Sequence, residues 1–138
     1  MRIIGLDLGS KTLGVAISDY LGIVATPVDT FRFRENDLDA ALVYLEKIVA
    51  EREVEKIVLG LPKNMDGSIG FQAEYCLQFK EMIQSKLFQE VVLVDERLSS
   101  SQVSKIMLHA DLSRNKRKQN VDKLAATVIL QSYLDSRK

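Results

Sequence analysis

The chain contains little cysteine or histidine and no long apolar run. Cys76 is the only cysteine, so an intrachain disulfide is excluded, which fits a protein of the reducing cytoplasm. His109 is the only histidine, so a serine–histidine or cysteine–histidine mechanism would depend on it alone, and these two residues are too few for zinc. No apolar segment approaches the ~18 residues of a membrane span, so we expect no membrane partner and a cytoplasmic location.

The chain also lacks an excess of charge of either sign, because 19 lysine and arginine residues balance 19 aspartate and glutamate residues. Binding to nucleic acid would therefore need a local basic patch. Of the 138 residues, 46% are hydrophobic and 28% are charged, which is an ordinary globular composition. We expect one domain spanning residues 1–138, large enough to bury a core without disulfides or a structural metal.

The apolar pattern predicts three antiparallel strands at the start of the chain. Short apolar runs at residues 2–8 and 13–18 are joined by a tight turn, which favours a hairpin. A looser alternation within residues 22–33 predicts a third strand, and Pro27 favours an edge position for it.

Helices and strands alternate in the rest of the chain. The spacing of apolar residues predicts a helix from Asn36 or Asp37 to near Arg52, a strand at 56–60, a loop at 61–70, a helix at 71–87, a strand at 91–96, a helix after the serines at 99–101, a polar basic segment at 113–119 and a last helix from Asn120 or Val121. This order of elements indicates an α/β fold with a mixed five-stranded sheet flanked by helices.

The predicted topology brings several polar residues to one edge of the sheet. If the fourth strand lies beside the first, the strand order is 3-2-1-4-5, and strands one, four and five point the same way. Ligands of open α/β sheets bind at the carboxyl ends of such strands. We therefore expect Asp7, the turn at 60–62 and the pair Asp95 and Glu96 to converge there.

Asp7 is the residue most in need of an explanation, because a carboxylate in an apolar strand is costly unless it is paired or binds a metal. Asp95 or Glu96 and, on the last helix, Asp122 could join it. Crowded carboxylates repel one another, and Mg²⁺ or Mn²⁺ would relieve that conflict. Two such ions can hold the attacking water and the leaving oxygen during phosphodiester cleavage. Alternatively, Asp122 is a charge at a helix N-terminus, and Asp95 and Glu96 are solvated at a strand end.

A run of basic residues precedes the helix that carries Asp122, and further cations lie in loops near the same predicted edge. Their charge would suit a nucleic-acid backbone, although a solvated surface loop is an alternative explanation for the run. The glycines of the 61–70 loop are only a weak indication of phosphate binding, because no Gly-Lys-Ser/Thr sequence ends that loop. The candidate nucleic-acid-binding residues are Lys11, Lys63, Arg97, Arg114, Lys116, Arg117 and Lys118.

Four short motifs in order carry a resemblance that covers essentially the whole chain. They are residues 4–11 (IGLDLGSK), 60–62 (GLP) with 64–68 (NMDGS), 95–99 (DERLS) and 121–126 (VDKLAA). With them the chain resembles the YqgF family, bacterial proteins of the RNase H-like fold that are similar to Holliday junction resolvases.

The resemblance implies a metal-dependent nuclease that matures the 5′ end of precursor 16S rRNA, with Holliday junction resolution as the alternative assignment. Carried over by motif, Asp7, Glu96 and Asp122 correspond to the acidic catalytic residues, which would bind Mg²⁺ or Mn²⁺. The resemblance also implies that the partners of the protein are precursor rRNA or branched DNA, with a ribosomal particle as a further partner. The protein would be a monomer or a weak homodimer. Ile69 and Phe71 stand where relatives often have Glu and Pro, and Lys63 replaces a common apolar residue, so contacts of this loop do not carry over.

Two other functions compete with a nuclease. The first hairpin also resembles the phosphate-binding hairpin of the actin, Hsp70 and sugar-kinase superfamily, but those proteins need a second lobe with another glycine-rich Asp hairpin, which this chain lacks. A non-catalytic RNA-binding factor for ribosome assembly is the third class, since a fold does not fix a function. Such a factor would bind RNA without cleaving it, whether or not Asp7 is present.

Overall fold

The computed structural model describes residues 2–64, 66–96 and 114–137 of the chain. Its elements in chain order are β1 (Arg2–Leu8), β2 (Thr12–Ser18), β3 (Ala25–Arg32), α1 (Leu38–Glu51), β4 (Val54–Leu61), α2 (Phe71–Lys86), β5 (Glu90–Asp95) and α3 (Arg114–Ser136). The helix predicted after the serines at 99–101 lies outside the described residues. None of the helices in the described part combines the length and apolar character that a membrane span needs.

The five strands form one sheet in the order β3-β2-β1-β4-β5. β1 is antiparallel to β2, β2 is antiparallel to β3, and β1, β4 and β5 are parallel to one another. The predicted mixed sheet with the order 3-2-1-4-5 is therefore confirmed. β3, which contains Pro27, lies at the edge, where a residue without a backbone N–H is tolerated. We call the edge formed by the carboxyl ends of β1, β4 and β5 the rim.

Helices cover both faces of the sheet, and side-chain alternation decides which face each strand residue joins. Ile4 and Leu6 of β1 belong to the larger core, which also contains buried residues of α1 and α2 such as Leu45 and Phe79. Ile3 instead belongs to a smaller core with Ala126, Ile129, Leu130 and Leu134 of α3. Asp7 has the same parity as Ile3, so it lies on the α3 face of the sheet.

α3 packs closely against β1 at Gly5. A Cβ atom at that position would lie 2.6 Å from the Leu130 Cβ and 3.0 Å from the Ala126 carbonyl oxygen. These atoms belong to or sit directly on the helix backbone, so they cannot move aside, and only glycine permits this packing distance. Gly5 therefore fixes the height of α3 above the strand that carries Asp7.

The direction of α3 follows from contacts near its C-terminal end. The Gln131 side chain accepts a hydrogen bond from the Ala25 backbone N–H at 2.9 Å, and Lys56 Nζ donates to the Tyr133 hydroxyl at 3.0 Å. Ala25 begins β3 and Lys56 lies near the beginning of β4, so both contacts lie at the end of the sheet away from the rim. The earlier residues of α3, including position 122, therefore lie toward the rim.

The start of α1 agrees with one of its two predicted positions, whereas the predicted start of the last helix was wrong. The N-cap of α1 is Asp37, whose side chain accepts a hydrogen bond from the Ala40 N–H at 3.2 Å, whereas Asn36 has a left-handed backbone with φ 61°. The last helix begins at Arg114 rather than at Asn120 or Val121. Arginine, lysine and glutamine are good helix formers, and no glycine or proline interrupts residues 114–120.

The earlier start of α3 changes the interpretation of two predictions. The basic residues Arg114, Lys116, Arg117 and Lys118 lie in the first turns of the helix and not in a loop before it. Asp122 lies more than two turns inside the helix, beyond the first turn over which a helix dipole stabilises a negative charge. The explanation of Asp122 as an N-terminal helix charge is therefore wrong.

Candidate active site

Asp7 is flanked by glycine on both neighbouring strands. Within the hairpin it pairs with Gly14 of β2. On the other side Leu6 pairs with Leu59 of β4, so Gly60 is the next residue along, beside Asp7. Side chains at such neighbouring positions are ordinarily ~5 Å apart, and glycine leaves that space open. The two glycines make room around the Asp7 carboxylate on the α3 face, and Asp7 is only partly buried.

The carboxylate of Glu96 occupies the space that Gly60 leaves. A Cβ atom at Gly60 would lie 2.9 Å from Glu96 Cδ and 2.7 Å from Ile129 Cδ1, and it would approach Glu96 Oε1 more closely still. Ile129 belongs to α3, so the Glu96 side chain lies on the α3 face, as Asp7 does. The structure therefore brings Asp7 and Glu96 together across one strand spacing.

Asp95 and Glu96 are adjacent in sequence but belong to opposite faces of the sheet. Val92 and Val94 of β5 pack with the α3 core, whereas Val91 and Leu93 pack with the core of α1 and α2. By the alternation of a strand, Asp95 continues the second set and Glu96 the first. Of the two acidic residues at the end of β5, only Glu96 shares a face with Asp7.

The environment of Cys76 reports on the same two charges. This thiol is fully buried, and burial raises its pKa to about 12, with smaller contributions in the same direction from the negative charges of Glu96 and Asp7. A thiol with so high a pKa is not a nucleophile near neutral pH. Cys76 is therefore excluded as a catalytic nucleophile, and the carboxylates of Asp7 and Glu96 lie near enough to contribute to its raised pKa.

Position 122 lies on α3 one helical turn before Ala126, which touches β1 at Gly5. Asp7 lies two residues beyond Gly5 along the strand, a step of ~6.6 Å, and one turn of helix covers ~5.4 Å. Because α3 runs away from the rim, both steps lead from the Gly5 contact toward the rim. The helix backbone thus brings position 122 close to Asp7, while the Asp122 side chain lies outside the described part of the structure.

The chemistry of the described carboxylates suits a hard divalent cation, because Asp7 and Glu96 offer only oxygen atoms. Among the side chains that the structure describes, no group of three or more His, Cys, Asp or Glu residues is placed to hold a metal ion. Two of the three predicted acidic residues, Asp7 and Glu96, are therefore described and adjacent.

The predicted basic residues fall into three groups. Lys11 is exposed in the turn between β1 and β2, and the partly exposed Lys63 follows β4, so both lie at the rim. Arg97 lies outside the described residues. Arg114, Lys116, Arg117 and Lys118 have a described helical backbone, but their side chains lie outside the description.

The 61–70 loop is organised by its own hydrogen bonds. The Asn64 N–H donates to the Ser68 carbonyl at 3.0 Å, the Gly67 N–H donates to the Asn64 carbonyl at 2.8 Å, and the Ser68 N–H donates to the Asp66 carboxylate at 2.9 Å. Gly67 adopts a φ of 88°, which glycine accepts without strain. These three N–H groups are already used, so they do not form a cradle for phosphate.

The space that Gly60 leaves for the Glu96 side chain was not predicted from the sequence. The available signal was a glycine inside the otherwise apolar run at 57–61, directly before the loop. Glycine in a strand interior often marks a close approach by another group, but the sequence does not say which group approaches.

Comparison with known proteins identifies the family of the chain. Residues 1–136 match the model of the RuvX family, which is described as Holliday junction resolvase. The chain belongs to the RuvX family. The resemblance that the four motifs carry, under the name YqgF, is therefore confirmed, and the match extends over nearly the whole chain.

Curated RuvX relatives are similar along their whole length. A protein of Oceanobacillus iheyensis is 51% identical over 138 residues, which cover 99% of this chain and 100% of the relative. A protein of Listeria monocytogenes is 51% identical over 136 residues, which cover 99% of both chains. Both carry pre-16S rRNA nuclease as a provisional name, in agreement with the nuclease that the resemblance implies.

Solved structures show that this RuvX chain has a RuvC-like RNase H fold. RuvC of Thermus thermophilus, in complex with a Holliday junction substrate, superposes with a TM-score of 0.68 at 10% identity, covering 99% of this chain and 95% of RuvC. The fowlpox virus resolvase in complex with Holliday junction DNA superposes with a TM-score of 0.63 at 12% identity, covering 99% of both chains. The predicted fold is confirmed.

Proposed function

We propose that the chain is a single-domain, metal-dependent endonuclease that hydrolyses phosphodiester bonds, with Asp7, Glu96 and Asp122 as its catalytic and metal-binding residues. The observation that carries the proposal is the adjacency of Asp7 and Glu96 on the α3 face, in space left by Gly60. Membership in the RuvX family supports the same chemistry. The helix backbone at position 122 lies toward the rim, which supports the inclusion of Asp122 in this set.

The donor set fits Mg²⁺ or Mn²⁺, because both ions prefer oxygen ligands and share them readily with phosphate. When bound, such ions supply a water of lowered pKa and stabilise the charge on the leaving oxygen. Asp7 is held on a strand that is paired on both sides, so it is a rigid ligand. Glu96 is held between Gly60 and Ile129, which limits the positions that its carboxylate reaches.

The cations at the rim would hold the backbone of the nucleic acid. Lys11 and Lys63 flank the carboxylates in the loops that follow β1 and β4. We propose that Arg97 and the basic residues in the first turns of α3 extend this surface: Arg114, Lys116, Arg117 and Lys118. Because the net charge is zero, such local placement is what would attract phosphates to this edge.

Precursor 16S rRNA is the substrate that we favour, because relatives about half identical over their full length carry that name. The role would be processing of the 5′ end during ribosome biogenesis in the cytoplasm, on RNA alone or within a ribosomal particle. Trimming an RNA end needs no symmetry, so a monomer or weak homodimer would be sufficient.

Holliday junction DNA is the second candidate substrate. The family description names a Holliday junction resolvase, and two solved structures of the same fold contain junction DNA. Symmetric cleavage of a four-way junction favours a two-fold dimer. The role would then be DNA recombination and repair.

A cleavage assay with matched carboxylate variants tests the proposal. Labelled precursor 16S RNA and a four-way DNA junction are incubated with Mg²⁺, with Mn²⁺ or with EDTA, under single-turnover conditions. Asp7→Asn and Glu96→Gln should lower the metal-dependent rate at least ~100-fold, and so should Asp122→Asn, because each removes a ligand charge. Asp95→Asn is the control, since Asp95 belongs to the opposite face, and it should cleave like the wild type.

Two results would contradict this function. Undiminished metal-dependent cleavage by Asp7→Asn would remove the proposed mechanism. RNA binding that survives both EDTA and Asp7→Asn, with no strand scission by the wild type, would instead identify a non-catalytic RNA-binding factor of ribosome assembly.

A further inference from the structure

A groove of about 440 Å³ lies between the beginning of α1 and one face of α2. Its lining includes Asn36, Asp37 and Asp39 on one side and Phe71, Tyr75 and Gln78 on the other. This volume lies within the ~300–1,000 Å³ that is usual for sites of small organic ligands. The groove is on the sheet face opposite to the Asp7 and Glu96 carboxylates.

Both walls of the groove are attached to the chain directly after Asp7. The Asn36 backbone N–H donates to the Ser10 carbonyl at 2.7 Å. The Gln72 side-chain amide donates to the Leu8 carbonyl at 3.2 Å. Leu8 and Ser10 follow Asp7 by one and three residues, a distance of at most ~10 Å along the backbone. The groove therefore opens beside the proposed cleavage site, around the end of β1.

Phe71 is an exposed aromatic residue at the mouth of the groove. It is the first residue of α2, and its side chain is 81% exposed. A nucleobase that stacks on such an exposed ring removes apolar surface from water. Phe71 thus offers a stacking platform next to the place where a polynucleotide backbone would cross the rim.

Tyr75 lies one helical turn after Phe71, in the wall of the groove. Its side chain is only 8% exposed, and its hydroxyl has no hydrogen-bond partner among the described residues. A buried hydroxyl without a partner is unusual, because desolvation without a compensating hydrogen bond costs free energy. A polar group entering the groove would satisfy that need.

The charge of the groove selects the part of a nucleotide that enters it. Asp37 and Asp39 are negative, so they repel phosphate, while carboxylate oxygens accept hydrogen bonds from amino groups of bases. The exposed amides of Asn36 and Gln78 can donate and accept on the same edge. The lining is therefore suited to a base and unsuited to the backbone.

We propose that this groove binds one unpaired nucleobase that carries an exocyclic amino group, stacked on Phe71, next to the phosphodiester bond being cleaved. The inference rests on the proposed nuclease function and gives it a substrate class, because a base inside a duplex is not accessible to such a groove. The enzyme would therefore prefer unpaired segments of nucleic acid over continuous duplex.

Binding without cleavage tests this inference independently of catalysis. Fluorescence anisotropy in EDTA measures the affinity for a labelled 12-nucleotide single-stranded RNA of mixed sequence and for the same RNA in a duplex. Phe71→Ala should weaken single-strand binding about 5- to 150-fold, the usual effect of removing one stacking residue, and leave duplex binding unchanged. Phe71→Trp, which keeps an aromatic ring, should bind like the wild type.

Phe88→Ala is the matched control, because Phe88 is 90% exposed and does not line this groove. It should leave both affinities unchanged. Equal effects of Phe71→Ala and Phe88→Ala, or equal losses for the single strand and the duplex, would overturn the base site. Oligo-U should bind more weakly than oligo-C, and equal affinities would overturn the amino-group assignment. Failure of the nuclease proposal is a separate result, namely no metal-dependent cleavage by the wild type.

Discussion

Gly60→Ala tests whether the missing side chain at Gly60, beside Asp7, determines the position of the Glu96 carboxylate. The added methyl group would lie 2.7 Å from Ile129 Cδ1 and 2.9 Å from Glu96 Cδ, and closer still to a Glu96 oxygen. Both neighbours are ends of side chains rather than backbone, so they can move aside. The substitution should therefore displace the carboxylate while leaving the sheet intact.

The size of the effect follows from these distances. Ordinary contact requires more than 3.4 Å, so the Glu96 carboxylate must move by roughly 1 Å, a misplacement that can lower a catalysed rate ~100-fold. Ile129 Cδ1 can rotate away, so the free energy of unfolding should fall by only about 1 kcal/mol. The Gly60→Ala variant should therefore fold but cleave its substrate only slowly.

Two measurements separate these effects. Urea denaturation gives the free energy of unfolding, and single-turnover cleavage of precursor 16S RNA with Mn²⁺ gives the rate. The same substitution in a Glu96→Ala background is the decisive control, because no carboxylate remains there to be displaced. In that background the added methyl should lower neither the residual rate nor the Mn²⁺ affinity further, which is the non-additivity expected for residues in contact.

Cleavage by Gly60→Ala at the wild-type rate would contradict this prediction, since the position of the Glu96 carboxylate would then not depend on the space at Gly60. An equal loss of rate on Gly60→Ala substitution, with and without the Glu96 carboxylate, would contradict it as well. In that case the glycine would act through the backbone or the packing of α3 and not through Glu96.

Two further predictions concern the packing around the site. Gly5→Ala should lower the free energy of unfolding, measured in urea, by about 1–3 kcal/mol, because its Cβ would lie 2.6 Å from the Leu130 Cβ. It should also slow cleavage, because α3 would be displaced from the sheet. A variant with the stability and the cleavage rate of the wild type would contradict this prediction. The second prediction concerns Cys76. When the pH is raised from 8 to 10, the free energy of unfolding of the wild type should fall by about 1.4 kcal/mol more than that of Cys76→Ala. The unfolded thiol ionises above pH 9, whereas burial keeps the folded pKa at about 12, so this stability is present below pH 9 and lost toward pH 12. Equal pH slopes for the two proteins in urea denaturation would contradict that assignment.

The sheet was predictable because its signals are local. Each strand is a short apolar run, and the helix between the parallel strands β1 and β4 requires a crossover that returns the chain to the sheet in the same direction. The convergence of Asp7 and Glu96 then followed from the rule that ligand sites lie at the carboxyl ends of parallel strands.

The start of α3 was not predictable from the pattern used. Residues 114–120 have no apolar face, so apolar spacing cannot distinguish an exposed helix from a solvated loop there. Helix propensity favours the helix, as the structure shows. At α1, Asn36 and Asp37 are both good N-caps, and only the backbone geometry decides in favour of Asp37.

The details of the site depend on contacts between distant parts of the chain. Gly60, Glu96 and Ile129 meet at one point, although 69 positions separate the first from the last. A glycine in a strand indicates that something approaches, but its partner is set by the sheet register and the height of α3. That height depends on Gly5, whose contact with Leu130 is likewise long-range.

The location of Mn²⁺ in a crystal of the wild-type protein tests the central claim most directly. Anomalous scattering identifies the ion, and its coordination shell can be read without any assumption about the substrate. We predict Mn²⁺ at about 2.1 Å from a carboxylate oxygen of Asp7, with Glu96 in the same site and Asp95 outside it. An ion whose ligands include neither Asp7 nor Glu96 would contradict the account.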